Sequence, residues 1–240
     1  VVHDLDLATE PLDLDAHSEI FYFAPPSDHH LQDKRLRMFL ARLTEAEAAP
    51  RIVYTSTTGV FGDCQGAWVD ENRPPNPATD RARRRLDAEQ ALAEWSRISG
   101  GEAVILRVSG IYGPGRLPLA RLRQGMALLE ESAAPPSNRI HVQDLVTICA
   151  AAMTRGKAGE IYNVSDGTPG TMNEYFNLVA DLAGLARPRT LDPVRAEREL
   201  PPGLLSFLRE SRRIDNRKML RELEIELRFP TLKKGLRASF

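Results

Sequence analysis

Ile52-Val53-Tyr54-Thr55-Ser56-Thr57-Thr58-Gly59-Val60-Phe61-Gly62 starts as an apolar, β-branched run and ends in hydroxyl residues and glycine. The run reads as a buried parallel strand. In an open α/β sheet, ligands bind just outside the carboxyl ends of the strands, so these hydroxyls stand where a ligand would lie. Ala103-Val104-Ile105-Leu106-Arg107-Val108 has the same character and runs out into Ser109-Gly110-Ile111-Tyr112-Gly113-Pro114-Gly115. Upstream, Ile20-Phe21-Tyr22-Phe23-Ala24 is a further strand, stopped by Pro25-Pro26. Val1-Val2-His3-Asp4-Leu5-Asp6 begins abruptly in what reads as another.

Helical patterns separate these strands. Residues 31–46 place Leu36, Phe39, Leu40 and Leu43 at helical spacing. After a loop over 62–79 rich in Gly, Pro and Asn, Thr79 or Asp80 caps a helix that runs to about Ser99 and stops at Gly100-Gly101. Such alternation implies parallel βαβ units with helices on both sheet faces. Beyond residue 115 the spacing predicts helices near 118–130, 142–154 and 172–184, and a strand at 160–164 that joins the sheet. Pro188 to Pro202 reads as a proline-punctuated linker, and 204–240 as a helical tail of mixed charge. The expected division is 1–115 for the sheet domain and 116–240 mostly for a smaller lobe beside it, the usual place for a substrate pocket.

The 240 residues suffice for one substantial core. A formal net charge of −1 gives the molecule no overall attraction to nucleic acid or to an acidic membrane surface. Cys64 and Cys149 lie far apart with no His/Cys cluster, which argues against a disulfide framework and against zinc; no metal site is expected. With no long apolar stretch and no basic-then-apolar leader pattern, the expected setting is cytoplasmic, without membrane contact.

The order and spacing of the Thr57–Gly62 and Leu106–Gly115 strand ends resemble the extended short-chain dehydrogenases/reductases, which include the NAD-dependent epimerases and dehydratases. The resemblance implies a Rossmann-like, doubly wound parallel sheet of α/β class with a smaller C-terminal substrate lobe. It also implies NAD or NADP as cofactor, a small-molecule substrate, and room for a homodimer. A dinucleotide fold opens with a strand, a glycine-rich turn and a helix whose N-terminus receives the pyrophosphate. No such turn stands near the start of this chain, and Gly110-x-x-Gly113-x-Gly115 follows a late strand and reads as a tight exit turn. The expectation is an N-terminally truncated sheet, with Val1–Asp6 as the family's third strand and Ile20–Ala24 as its fourth.

Active members of the family pair a Ser or Thr at the strand end with Tyr-x-x-x-Lys on the next helix. Spacing of i, i+4 sets both side chains on one helix face toward one substrate carbon. Thr57 matches the Ser/Thr. Matching Ala88-Glu89-Gln90 to the family's helix puts Arg81 at the tyrosine and Arg85 at the lysine. Arg85 could still donate to ribose hydroxyls, whereas Arg81 cannot exchange protons near neutral pH. Read without the family, Arg81, Arg83, Arg84 and Arg85 are a solvated basic face with Asp87 and Glu89 as partners. Tyr112 could supply a substitute hydroxyl or be a packed loop aromatic.

By the same resemblance Asp4, Leu5, Phe23, Ala24, Pro25, Thr55, Ser56, Arg85, Val108, Ser109 and Ile111 would contact the cofactor, and Arg139 could reach an anionic substrate. In Asn138-Arg139-Ile140-His141-Val142-x-Asp144, His141 reads as a satisfied histidine and Asp144 as a helix cap. Arg212-Arg213-x-Asp215-Asn216-Arg217-Lys218 suggests either phosphate binding or an exposed charged helix start. The implied activity is NAD(P)-dependent oxidoreductase or epimerase/dehydratase chemistry on a small sugar or polyol, nucleotide-linked or free. The alternative is a catalytically impaired dinucleotide-binding sensor or partner protein, motivated by Arg81 at the acid/base position.

Overall fold

The computed structural model describes Leu14 and residues 18–27, 30–208 and 210–240. The strand expected at Val1–Asp6, with Asp4 and Leu5, lies outside the described residues. The central sheet has four parallel strands: β1 (Glu19–Tyr22), β2 (Arg51–Thr57), β3 (Glu102–Val108) and β4 (Ile161–Val164), in the order β1-β2-β3-β4. Its register sets Thr57 opposite Val108 and Val108 opposite Val164, so Thr57 and Ser109 share one carboxyl edge.

Alternation along β2 and β3 explains why these runs are apolar throughout. Ile52, Tyr54, Ala103 and Ile105 face the helices α1 (Lys34–Glu45) and α2 (Asp80–Ser99), where Leu36, Leu43, Leu92 and Trp95 meet them. Val53, Val104 and Leu106 face the other way, onto Ile148 and Ala152 of α3 (Val142–Arg155). Both faces of the sheet are therefore covered, as parallel sheets require. Asp33 caps α1 by accepting from the Leu36 amide at 3.1 Å. Helix α2 ends at Gly100, whose φ of 75° few side chains tolerate, and Gly101 gives way to Trp95: a Cβ there would lie 2.2 Å from the indole.

The second half departs from the expected pattern in three places. Residues 118–130 form a short helix, Leu119–Arg123, followed by a strand, Ala127–Leu129. The supposed linker contains a strand, Arg189–Leu191, paired parallel with Ala127–Leu129, and a helix, Pro193–Glu199. Pro193 misleads because proline suits the first turn of a helix as well as it breaks one, and Asp192 caps this helix onto Arg195 N at 3.0 Å. The tail holds the extended pair Arg213–Ile214, which runs parallel to Trp68–Val69 in the 62–79 loop. Helix α4 (Met172–Ala183) closes a separate core over Tyr112, Leu232 and Leu236. Among the described residues no helix is long and apolar enough to cross a membrane.

Candidate functional site

A cleft of about 1410 Å³ opens at the carboxyl ends of β2 and β3 and is closed on its far side by residues from the second half. Thr57 and Ser109 lie at its sheet side, Arg139 lines it from a short strand paired with Gly110–Tyr112, and Tyr175 and Arg189 line it from the second half. Eight arginines line it, against two carboxylates, Glu199 and Glu210. The concentration is local, since the whole chain carries a net charge of −1. Such a cleft focuses a positive potential and draws anions.

The side chains at the end of β2 divide between structure and cleft. Thr57 lines the cleft, but its Oγ1 accepts from Gly59 N at 3.1 Å and caps the turn Thr58–Phe61. Thr55 Oγ1 sits 3.5 Å from the Tyr22 carbonyl. Ser56 points inward and donates to Glu89 Oε1 at 2.5 Å. Arg85 spans the gap from α2: its Nη1 donates to Tyr54 Oη at 3.0 Å and to the Thr55 carbonyl at 3.1 Å. Its remaining nitrogens make no hydrogen bond to the described residues. Arg81 lies at the cleft mouth, close enough to Glu210 and Arg212 for their charges to be felt, and burial lowers its proton affinity from the usual arginine value.

From β1, Pro25 reaches the cleft and its carbonyl accepts from Arg35 Nη1 at 2.5 Å. Phe23 and Ala24 precede it; Phe23 is 54% exposed and stacks on Phe21. Val108, Ser109 and Ile111 line the floor, and Ser109 Oγ is buried with no hydrogen-bond partner among the described residues. Tyr112 is enclosed: its ring stands edge-on to His141 and Tyr175, and its hydroxyl packs on Gly235, where a Cβ would lie 2.0 Å away. Burial pushes its pKa above the usual phenol value, the reverse of what proton transfer at neutral pH needs.

Arg139 is buried beside the floor, with its guanidinium 4.3 Å above the Tyr175 ring and its Nη1 on Ser137 Oγ at 2.6 Å. It forms no ion pair among the described residues. Asp166, Glu174, Tyr112 and Tyr175 feel its charge, and desolvation lowers its proton affinity. Asp166 in turn has its carboxyl pushed up by burial to about 6.

Several sequence readings are corrected here. The partner of Asp87 is Arg37 on α1, at 2.6 Å. Glu89 is not a surface partner of the α2 arginines: it is buried, holds Arg107 at 2.8 Å and takes the Ser56 hydroxyl. His141 itself caps α3, its Nδ1 accepting from Gln143 N at 3.2 Å. Asp144 instead accepts from the amides of Arg228 and Phe229, at 2.9 and 3.0 Å, and clamps the C-terminal segment. Within 212–218 each cation has a protein partner: Arg212 on Glu210, Arg213 on the Gly66 carbonyl, Arg217 on Asp215 and Lys218 on Glu160. Sequence reading passed over Glu210. Its only signal is an acid amid arginines in a stretch that reads as a tail of mixed charge.

Residues 26–165, more than half of the chain, match the model of the NAD dependent epimerase/dehydratase family. The chain belongs to that family. Over 186 residues it is 30% identical to protein YeeZ of Escherichia coli strain K12, a match covering 77% of this chain and 61% of YeeZ. The chain thus spans about three-fifths of the length of that curated relative. A functionally unknown conserved protein from Silicibacter pomeroyi has a solved structure that superposes with a TM-score of 0.84 at 32% identity, covering 97% of this chain and 80% of that one. The fold also recurs in MoeE5, solved in complex with UDP-glucose and NAD: TM-score 0.77, 19% identity, 100% of this chain and 83% of the other. The structure thus bears out the parallel α/β Rossmann-like sheet expected of the family.

Proposed function

We propose that the chain is an NAD(P)-dependent oxidoreductase or epimerase/dehydratase-type protein acting on a small, nucleotide-linked sugar or polyol in the cytoplasm. The observation that carries the reading is the position of the arginine-lined cleft at the shared carboxyl edge of β2 and β3. The residues present fit the ribose and nicotinamide end of a dinucleotide. Arg85, matched by sequence to the family's ribose-holding lysine, retains donors not used by the described residues. Ser109 Oγ offers a buried hydroxyl in need of a partner. Val108 and Ile111 supply apolar walls. When bound, the dinucleotide supplies the hydride acceptor or donor. Thr57 orients the turn after β2, its Oγ1 accepting from Gly59 N, and its aliphatic hydroxyl is too weak an acid to transfer a proton readily at neutral pH.

On this reading residues 116–240 form the substrate lobe, and Arg139 meets a phosphate or carboxylate of the substrate. A guanidinium matches such planar or multidentate anions with paired hydrogen bonds. Calorimetric titration with NADH and NADPH tests the proposal. Binding that weakens about 10- to 100-fold in Arg85→Ala, the scale of a charged hydrogen bond, supports it. Equal affinity in the variant, or no binding by the chain, contradicts it.

A further inference from the structure

Arg81 leaves the family's proton-transfer position without an acid or base, since a guanidinium donates hydrogen bonds but does not exchange its proton near neutral pH. The groups that could stand in are few. Tyr112 turns its hydroxyl to Gly235. Thr57 caps the turn through Gly59 N, and its aliphatic hydroxyl is too weak an acid to exchange its proton readily near neutral pH. His141 is sealed between Phe229 and Ser239, away from the cleft. Two carboxylates line the cleft. Glu199 has both oxygens occupied, Oε2 by Arg189 and Oε1 by Arg195.

Glu210 differs. Its side chain is 4% exposed, and Arg212 Nη1 holds Oε2 at 2.9 Å. Oε1 has no hydrogen-bond partner among the described residues. A buried carboxylate oxygen without a donor is unfavourable, and natural structures rarely keep one without cause. The loop that carries it is firmly set. Arg212 also donates to the Gly62 carbonyl at 2.6 Å, Ser211 N to Asp63 Oδ1 at 2.9 Å, and Cys64 N to the Ser211 carbonyl at 2.9 Å. These bonds dock Glu210 against the turn that follows β2, within electrostatic reach of Arg81. A ligand hydroxyl is the donor that Oε1 lacks.

We propose that Glu210 Oε1 is the proton acceptor for the substrate hydroxyl, in place of the family's phenol. This rests on the cleft being an NAD(P)-dependent site. In the oxidative direction the substrate O–H bond breaks and its proton bonds to Oε1, neutralising the carboxylate. The electron pair left on oxygen closes the C=O bond as the carbon's hydrogen departs with its own pair to an oxidised nicotinamide dinucleotide. In reduction Glu210 returns the proton. Arg212 keeps the carboxylate in place through both states.

The test uses protein labelled with ¹³C at glutamate carboxyl carbons, with the Glu210 signal assigned by its loss in Glu210→Gln. UDP-glucose is the probe. The Glu210 resonance should move on its addition, and Glu210→Gln should reduce NAD+ or NADP+ at least about 100-fold more slowly than the parent chain, the lower range for general acid–base help. Glu94→Gln, at a surface ion pair with Arg97 outside the cleft, should retain turnover, and NADH affinity should be equal in all three proteins. A Glu210 signal indifferent to the probe overturns the proposal, as does a Glu210→Gln variant as fast as the parent. Absence of NADH binding in the parent marks failure of the underlying reading instead.

Discussion

Arg107 and Arg139 are both buried arginines, 3% and 8% exposed, yet the two regions that hold them are built on opposite terms. Beneath the sheet, Arg107 faces Glu89 in a two-pronged contact, with Nη2 to Oε2 at 2.8 Å and Nε to Oε1 at 3.2 Å, and it lies 4.7 Å over the Phe61 ring. Ser56 takes up the remaining demand of Glu89. At the cleft wall Arg139 has a hydroxyl and an aromatic face but no carboxylate. Burying a charge costs several kcal/mol unless it is paired. The paired arginine completes the core and ties α2 to β3. On the proposed reading the unpaired one meets an anion that enters the cleft. Residue type and burial are alike, and the counter-ion is the difference between them.

The largest expected effect lies on the paired side. Glu89→Gln leaves Arg107 buried without a counter-charge and should cost about 3–5 kcal/mol of stability, read by urea denaturation. A loss below about 1 kcal/mol would remove the contrast, because Arg107 would then not need its partner.

Next comes Asp166, which could have been the counter-ion of Arg139. A carboxylate serving that purpose would be held below its usual range, whereas burial raises this one to about 6. The folded protein therefore keeps a proton that the unfolded chain releases between about pH 4 and 6, and its stability falls as pH rises through that window. Asp166→Asn should stabilise the fold by about 2–3 kcal/mol at pH 7.5 and by almost nothing at pH 4. A destabilised variant at pH 7.5 would instead make Asp166 the missing partner.

The arginines of α2 offer a smaller comparison. Arg85→Ala should weaken NADH binding by about 1.5–3 kcal/mol, the scale of a hydrogen bond to a charged group. Arg83, paired at the surface with Asp80, should change binding and stability by less than about 0.5 kcal/mol on replacement by alanine. Equal, negligible effects on binding would return the α2 arginines to a solvated face.

The sheet was legible because buried parallel strands write themselves as continuous β-branched runs, and β2, β3 and β4 all do. Leu36, Phe39, Leu40 and Leu43 announced α1 by their spacing, and Gly100-Gly101 announced the end of α2. The second half was harder to read, since Ala127–Leu129 and Arg189–Leu191 are three-residue strands defined only by each other. No local pattern distinguishes such pairs from loop. Within the site, the positions of Arg85 and Arg139 could be placed by likeness to a family. The burial of Glu89 could not, because its partners Ser56 and Arg107 come from two other strands. Glu210 escaped for a similar reason: the bonds that hold its loop run to Gly62, Asp63 and Cys64, far away along the chain, with separations of 148 and 150 residues for the Asp63 and Gly62 bonds.

The claim that Arg139 keeps its charge for a ligand is tested most directly by titrating UDP-glucose into the parent chain and into Arg139→Gln by calorimetry, with the melting temperature of each protein recorded alongside. The account predicts affinity about 10- to 100-fold weaker in the variant, with a melting temperature equal to or above that of the parent, since an uncompensated buried charge has been removed. Unchanged affinity together with a clear fall in melting temperature would contradict it and make Arg139 a structural residue like Arg107.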